Sequence, residues 1–226
     1  MDYYKYQLHA HTYPASDCGD MLPHELVDAL CCGGYSGCVL TNHFMRGNTG
    51  VDRKLPWDEF INAFSKDYFQ AKSRAEKHDI DLLFGLEEHL GNGREILCYG
   101  VTPDILKAHP ELRDADITVW HKVMQSEGCL CIQAHPFRDR GYIENPGVLP
   151  LEHIDGIEVF NFCNEEDENE KAAEFARNHP SLITVAGGDA HGVDKACESG
   201  IMAKRRVRSE KEMADLLRSG EYVLIK

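Results

Sequence analysis

The chain lacks any C-x-x-C pair, although it contains nine cysteines. A zinc-ribbon reading fails on that absence. An odd number of cysteines in a chain of 226 residues also argues against a small secreted disulfide scaffold. Cys38, Cys98, Cys129 and Cys131 lie inside apolar runs, where a reduced thiol behaves as a small hydrophobe. No apolar run approaches the roughly 18 residues needed to cross a bilayer. The opening Met1-Asp2-Tyr3-Tyr4-Lys5 has no apolar stretch of signal-peptide type, so a cytoplasmic location without a membrane partner is expected. Basic residues are scarce, with 24 Lys and Arg against 38 Asp and Glu and a formal net charge of −14. A deficit of that size argues against broad, sequence-independent binding to nucleic acid. It leaves a small anionic substrate open, because bound divalent ions reverse the local sign of a carboxylate-lined pocket. Repeats, low-complexity segments and linkers are absent too, so residues 1–226 are expected to form a single domain.

What is present alternates between short apolar strands and amphipathic helices. Tyr3 to Leu8 reads as a strand ending at His9-Ala10-His11, and Pro23 to Cys32 as a helix closed by Gly33-Gly34. Gly37 to Thr41 is a buried strand running into Asn42-His43. The spacing of Phe60, Ile61, Phe64, Tyr68 and Ala71 predicts one long helix over Trp57 to Lys77. Ile80 to Leu86, Glu95 to Tyr99, Cys129 to Gln133, Ile154 to Phe160, Leu182 to Ala186 and Tyr222 to Ile225 read as further strands. Ile117 to Gln125, Glu165 to Asn178 and Glu210 to Arg218 read as helices. Strands alternating with helices at this spacing predict a parallel sheet, as a barrel or as an open doubly wound sheet.

Chemistry collects at strand ends. Five strands run out into residues able to bind metal: His9 and His11, His43, Glu87, His135, then Asp189 and His191. Side chains at i and i+2 of a strand share a face, so His9 with His11 and Asp189 with His191 can each converge, as can Glu87 with His89. The loops at the carboxyl ends of β/α-barrel strands form active sites, and a barrel would gather these residues at one mouth. His24, His78, His109, His121, His153 and His179 fall in helices or loops without a carboxylate at ligand spacing, and read as surface residues.

His9-Ala10-His11-Thr12, Thr41-Asn42-His43, Gly85-Leu86-Glu87, Ala134-His135-Pro136 and Gly188-Asp189-Ala190-His191 together resemble the PHP domain, the family named for polymerases and histidinol phosphatases. The matching pieces occur in the family's order and span nearly the whole chain. The resemblance implies a distorted seven-stranded β/α barrel of TIM-like type, binding two or three divalent ions. Carried over by position, it implies that His9, His11, Glu87 and Asp189 hold one ion. Glu87 would bridge to a second ion shared with His135, and Asp17, His43 and His191 would hold a third. The chain departs from the family pattern at Asn42, where Asp is common. It departs again in the strand after Glu87, which reads Arg94-Glu95-Ile96-Leu97-Cys98 without the usual histidine. Glu95, Cys98 or His89 could fill that place.

The imidazole and carboxylate mixture suits zinc, manganese or iron rather than calcium. The resemblance implies a metal-dependent phosphoesterase, and clustered divalent ions, which bring the pKa of water toward neutrality and neutralise charge on phosphoryl oxygens, suit hydrolysis of a small phosphate monoester or nucleotide. Arg138, three residues after His135, is the candidate for a bidentate grip on phosphate, with Arg205 and Arg206 behind it. Glu158 and Asn161 are candidates to line the pocket or orient a histidine. Two rival readings are an amidohydrolase-type metal hydrolase and a metal-binding module without catalysis. The first also opens with His-x-His but usually needs a bridging lysine, and no lysine sits at a strand end in mid-chain.

Overall fold

The structure is a computed structural model that describes residues 3–226. Met1 and Asp2, the start of the segment read above for signal-peptide character, lie outside the described residues. The strands are β1 (Tyr4–Ala10), β2 (Gly37–Leu40), β3 (Asp81–Phe84), β4 (Leu86–His89), β5 (Glu95–Tyr99), β6 (Leu130–Gln133), β7 (Gly156–Asn161), β8 (Ile183–Gly187), β9 (Gly200–Ala203) and β10 (Tyr222–Ile225). The helices are α1 (Pro23–Cys32), α2 (Trp57–Phe64), α3 (Lys66–Lys77), α4 (Pro103–Ala108), α5 (Ile117–Ser126), α6 (Glu166–Asn178) and α7 (Glu210–Ser219).

The strands form two five-stranded sheets, in the orders β10-β9-β1-β2-β3 and β4-β5-β6-β7-β8. The expected barrel is corrected in two respects: the ladders do not close into one ring, and the sheets are mixed. β1, β2 and β3 run parallel, as do β6, β7 and β8. β5 is antiparallel to both β4 and β6, and β9 is antiparallel to β1 and β10. The reversal at β5 has a local cause. Only residues 90–94 join β4 to β5, whereas a parallel crossover needs about a dozen residues or more. The two sheets meet at both flanks. On one, Gly85 carries the chain from β3 directly into β4, and His43 bridges Glu87 across the join. On the other, the His11 amide donates to the Ala190 carbonyl (2.9 Å) and the Ala190 amide to His9 (3.1 Å).

Alternation along the strands sorts side chains into two cores. Tyr6, Leu8, Val39, Leu83, Leu97, Tyr99, Leu130, Ile132 and Val185 come from both sheets and pack together, with Met213, Ala214, Leu216 and Leu217 of α7 against them. Their strand neighbours Cys38, Leu40, Leu82, Phe84, Ile96, Cys98, Cys131 and Ile157 belong to a second cluster under the other helices. Two features depart from the sequence expectation. The long helix over residues 57–77 is broken at Ser65, whose hydroxyl donates to the Ile61 carbonyl (2.7 Å), a bond that bends helices. β9 and α4 add elements that carry no strong periodic signal.

Phe44, the residue after His43, is fully buried and ties the outer core to the sheet join. Its ring packs edge-on to Phe64 (4.9 Å between centroids), Phe60 (5.3 Å), Trp120 (5.8 Å) and Trp57 (5.9 Å). Its amide donates to the Glu87 carbonyl at 2.7 Å. Phe44→Ala is expected to cost about 3–5 kcal/mol in chemical denaturation. A loss below about 1 kcal/mol would show that this cluster does not support the join.

Candidate metal centre

Strict alternation along β1 would turn His9 away from the inner face that Tyr6 and Leu8 occupy. The register explains why it does not. Gln7 pairs with Cys38 and Ala10 with Leu40, so β1 carries one residue more than β2 in that interval. This bulge inverts the alternation after Leu8, and His9 and His11 both face inward. A second shift lies between Glu158 and Phe160 of β7, which pair with Val185 and Ala186, and it returns Asn161 inward beside Glu158.

Glu87 sits at the middle of the inward-facing group. Its Oε1 lies 3.2 Å from His9 Nε2 and 3.3 Å from His135 Nε2. Its Oε2 lies 2.9 Å from His43 Nδ1 and 3.4 Å from His11 Nε2. Asp189 Oδ1 is 3.3 Å from His11 Nε2, 3.5 Å from His9 Nε2 and 3.4 Å from His191 Nδ1. Glu95 supplies the second carboxylate beside Glu87, 3.5 Å from His135 Nε2 and 3.9 Å from His43 Nδ1. Four overlapping triads result, each with donor atoms within 4.8 Å of one another: His9-His11-Asp189, His9-Glu87-His135, His43-Glu87-Glu95 and His11-His43-His191.

The surroundings fix which ring nitrogen of each histidine is free. His9 Nδ1 donates to Glu158 Oε1 (3.1 Å), which leaves Nε2 as the ring atom directed at Glu87. The other oxygen of Glu158 accepts from the His135 amide (3.0 Å) and from Asn161 Nδ2 (2.8 Å). For His11 the deciding group is Ser16. The Asn42 side-chain oxygen accepts from the Thr12 amide (2.7 Å) and from the Ser16 hydroxyl (3.0 Å). With its single proton so committed, Ser16 Oγ can only accept from the His43 amide (2.9 Å) and from His11 Nδ1 (3.2 Å). His11 Nε2 is thereby left as a lone-pair donor. Asn42 thus performs its scaffolding task through an oxygen, as an aspartate would.

These donors end on nothing in the protein. Among the described residues, six buried side-chain nitrogen or oxygen atoms lack a hydrogen-bond partner. Four of them, His9 Nε2, His11 Nε2, His43 Nδ1 and Glu87 Oε2, belong to this one cluster. Buried polar atoms are ordinarily satisfied, and lone pairs aimed at shared points are what divalent ions require. The donor set therefore fits metal. The electrostatics agree with a site built for positive charge. Burial alone would raise the Glu87 and Asp189 carboxyls, yet both are held well below the usual range, Glu87 by His9 and His43 and Asp189 by His9, His11 and Arg138. Burial works against a charged His9, but Glu87, Glu158 and Asp189 outweigh it and raise it well above the ordinary value. Burial, with His43 and His191 behind it, pushes His11 well down. Burial, reinforced by Glu87, lifts Glu95 to about 8.

Close backbone approach and local strain build the far wall. A Cβ at Gly187 would lie 2.3 Å from Glu158 Oε1 and 2.6 Å from the His9 Cβ, so only glycine lets that pair meet. His135 (φ 29°) and Asp189 (φ 48°) both occupy the left-handed region, a strain that clusters at functional sites. The cluster opens into a cavity of about 320 Å³ whose lining includes Cys18, Asn48, Arg138 and Tyr142. Larger hollows of about 420 and 700 Å³ elsewhere have no histidine in their walls.

Several expected positions need correction. Asp17 is exposed and joins none of the triads; the neighbouring Cys18 lines the cavity instead. Burial would raise the Cys18 thiol, but hydrogen bonds to His191 and His43 outweigh it and bring it down to about 6. Of the three substitutes offered for the missing histidine, Glu95 is the one brought in. Cys98 is fully buried in the outer core, and His89 Nδ1 accepts the Gly91 amide of its own hairpin (3.1 Å). Arg138 is buried beside the cluster rather than free at the mouth. It donates to Asp189 Oδ2 (2.7 Å), Asn164 Oδ1 (2.8 Å) and Asn161 Oδ1 (3.0 Å). Arg206 pairs with Asp79 and Asp81 at the opposite end of β3, and Arg205 lines a separate hollow. Ser16 and Cys18 are the residues missed in the sequence. No periodic signal marks them, because both lie in the turns that follow β1.

Glu158→Gln keeps the shape but weakens the hold on His9. Metal affinity is expected to fall about 10–100-fold in chelator competition, and an unchanged affinity would remove Glu158 from the orienting role. Glu95 keeps its proton in the fold up to about pH 8. In the unfolded chain it ionises near pH 4.3, so the folded form binds more protons and the metal-free protein loses stability as pH rises through that window. Glu95→Gln is expected to flatten that loss between about pH 5 and 8 in thermal melting with chelator present. An unaltered slope would show that Glu95 does not carry it.

No family model matches the chain, and no curated protein matches it. Solved structures do. A two-domain protein of Bacteroides vulgatus containing a predicted PHP-like metal-dependent phosphoesterase superposes with a TM-score of 0.70 at 16% identity, over 99% of this chain and 64% of that one. An amidohydrolase of Chromobacterium violaceum, with bound sulfate and no metal, superposes with a TM-score of 0.61 at 15% identity over 98% of both chains. The lesion-specific endonuclease EndoQ of Pyrococcus furiosus gives 0.66 at 11% identity, over 99% of this chain and 58% of that one. This chain therefore spans less than two thirds of the Bacteroides and Pyrococcus proteins. At such identities the likeness is one of fold, and that fold is shared by proteins named for three different reactions.

Proposed function

We propose that the chain is a metal-dependent phosphoesterase that hydrolyses a small phosphate monoester or nucleotide. The observation that carries this reading is the convergence of three unpartnered imidazole nitrogens on one buried carboxylate, itself left with an unpartnered oxygen, open to a cavity of small-molecule size. His9, His11, Glu87 and Asp189 would hold one ion, Glu87 with Glu95 and His135 a second, and His43 with His191 a further one. Divalent ions at these positions would supply an activated water and offset charge on the phosphoryl oxygens. The chain's own residues do the rest. Glu158 and Ser16 set the free nitrogens of His9 and His11. Arg138 fixes Asp189, and since only three of its five N–H groups are engaged with the protein, two can meet an anionic group in the cavity that it lines. The acidic chain favours a small anion over a polynucleotide, in line with its net charge of −14.

An amidohydrolase reading is the alternative, supported by the resemblance in fold to the Chromobacterium protein. The carboxylate at the centre of the cluster and a cavity lining without a lysine weigh against it. Metal-depleted protein, reloaded with zinc, manganese or iron(II), is expected to turn over phosphate monoesters or nucleotides and to lose that activity in chelator. His9→Ala and Asp189→Ala are each expected to abolish turnover while melting as folded proteins. Activity that persists in both variants, or cleavage of amide substrates alone, would overturn the assignment.

A further inference from the structure

We propose that Cys18, and not Asp17, completes a metal position with His43 and His191, giving it one thiolate and two imidazole donors. The inference rests on the metal reading above but is independent of the reaction. It starts from the path of the loop after β1. Ser16 meets Thr49 in an isolated antiparallel bridge, and its hydroxyl faces inward to His11 and the His43 amide. A tight turn follows, closed by the Gly19 amide donating to the Ser16 carbonyl (3.1 Å). Within that turn Asp17 is exposed, its amide donating to the Asn48 carbonyl (2.9 Å), whereas Cys18 is half-buried and lines the cavity.

Cys18 lines the cavity together with His43 and His191. A second observation places a ligand there. His43 is only 8% exposed, and its Nδ1 is one of the buried atoms without a partner. The His43 and His191 donor atoms also fall within 4.8 Å of each other in the triad they form with His11. Two nitrogens and a sulfur facing a cavity make a three-ligand site with an open position, the arrangement of catalytic rather than structural zinc. A thiolate in place of a carboxylate shifts the preference toward zinc, iron(II) or cobalt(II) and away from manganese and magnesium.

Cobalt(II) tests this without any substrate. Metal-depleted protein titrated with cobalt is expected to develop a thiolate-to-cobalt charge-transfer band in the near ultraviolet. Cys18→Ser is expected to lose that band and about one bound ion per chain. Cys18→Asp should lose the band and keep the ion, and Asp17→Asn should change neither. Thermal melting of the metal-free variants confirms that each is folded. Uptake of cobalt without a thiolate band, a band that survives Cys18→Ser, or one that disappears in Asp17→Asn would overturn the proposal. A Cys18-dependent band in a protein that turns over no phosphate ester would sustain it and count only against the phosphoesterase reading. A wild-type chain that takes up no cobalt would overturn both.

Discussion

One carboxylate buried among four imidazoles sets the terms for the rest of the structure. Removing Glu87 from water costs several kcal/mol unless charge of the opposite sign surrounds it. Here the compensation comes from His9, His43 and His135, which arrive from three different strand ends. Several unusual local features serve that meeting. The bulge in β1 inverts the alternation so that two histidines face one point, the bulge in β7 brings Asn161 beside Glu158, and Gly187 lets Glu158 reach His9. The positive φ of His135 and Asp189 belongs to the same pattern, since strained backbone persists only where the surrounding structure enforces it.

Around that centre lies a ring of orienting groups that make no claim on the ions themselves. Glu158, Ser16, Asn42 and Arg138 each satisfy one end of a donor and leave the other end free. A hydroxyl has only one proton, and its commitment to Asn42 decides the tautomer of His11 two bonds away. Arg138 shows the same economy: the side chain that could face an anionic substrate is also the one that pins Asp189.

Much of this was legible in the sequence, and the reasons differ by element. The ends of the apolar strands marked His9, His11, His43, Glu87, His135, Asp189 and His191, because a strand that finishes in a ligand residue has no core reason to do so. α1 and β10 fell where periodicity and caps placed them. Alternation of helices and strands did not reveal the mixed sheet, since strand direction depends on connection length rather than on composition. That reversal also decides among Glu95, Cys98 and His89, which the sequence left as equal candidates. β5 runs against its neighbours, so its first residue, not its last, reaches the rim. Asp17 came from the resemblance alone, and the turn that leaves it exposed depends on backbone bonds that no linear pattern displays. Arg138 was found by position, but its commitment to Asp189 depends on side-chain partners that no linear pattern displays.

The seam between the two sheets gives the cluster a mechanical meaning. β1 and β2 of one sheet deliver His9, His11 and His43, while β4, β5 and β6 of the other deliver Glu87, Glu95 and His135. The ladders on either flank are thin, a single bridge at Ala10–Ala190 and another at His43–Glu87. Ions held by donors from both sides would act as a clasp across that seam. Without them, the seam is left to contacts among the same imidazoles and carboxylates and to two single backbone bridges. Local opening, with the fastest amide exchange among the strands, is then concentrated along this line rather than at the helices outside it.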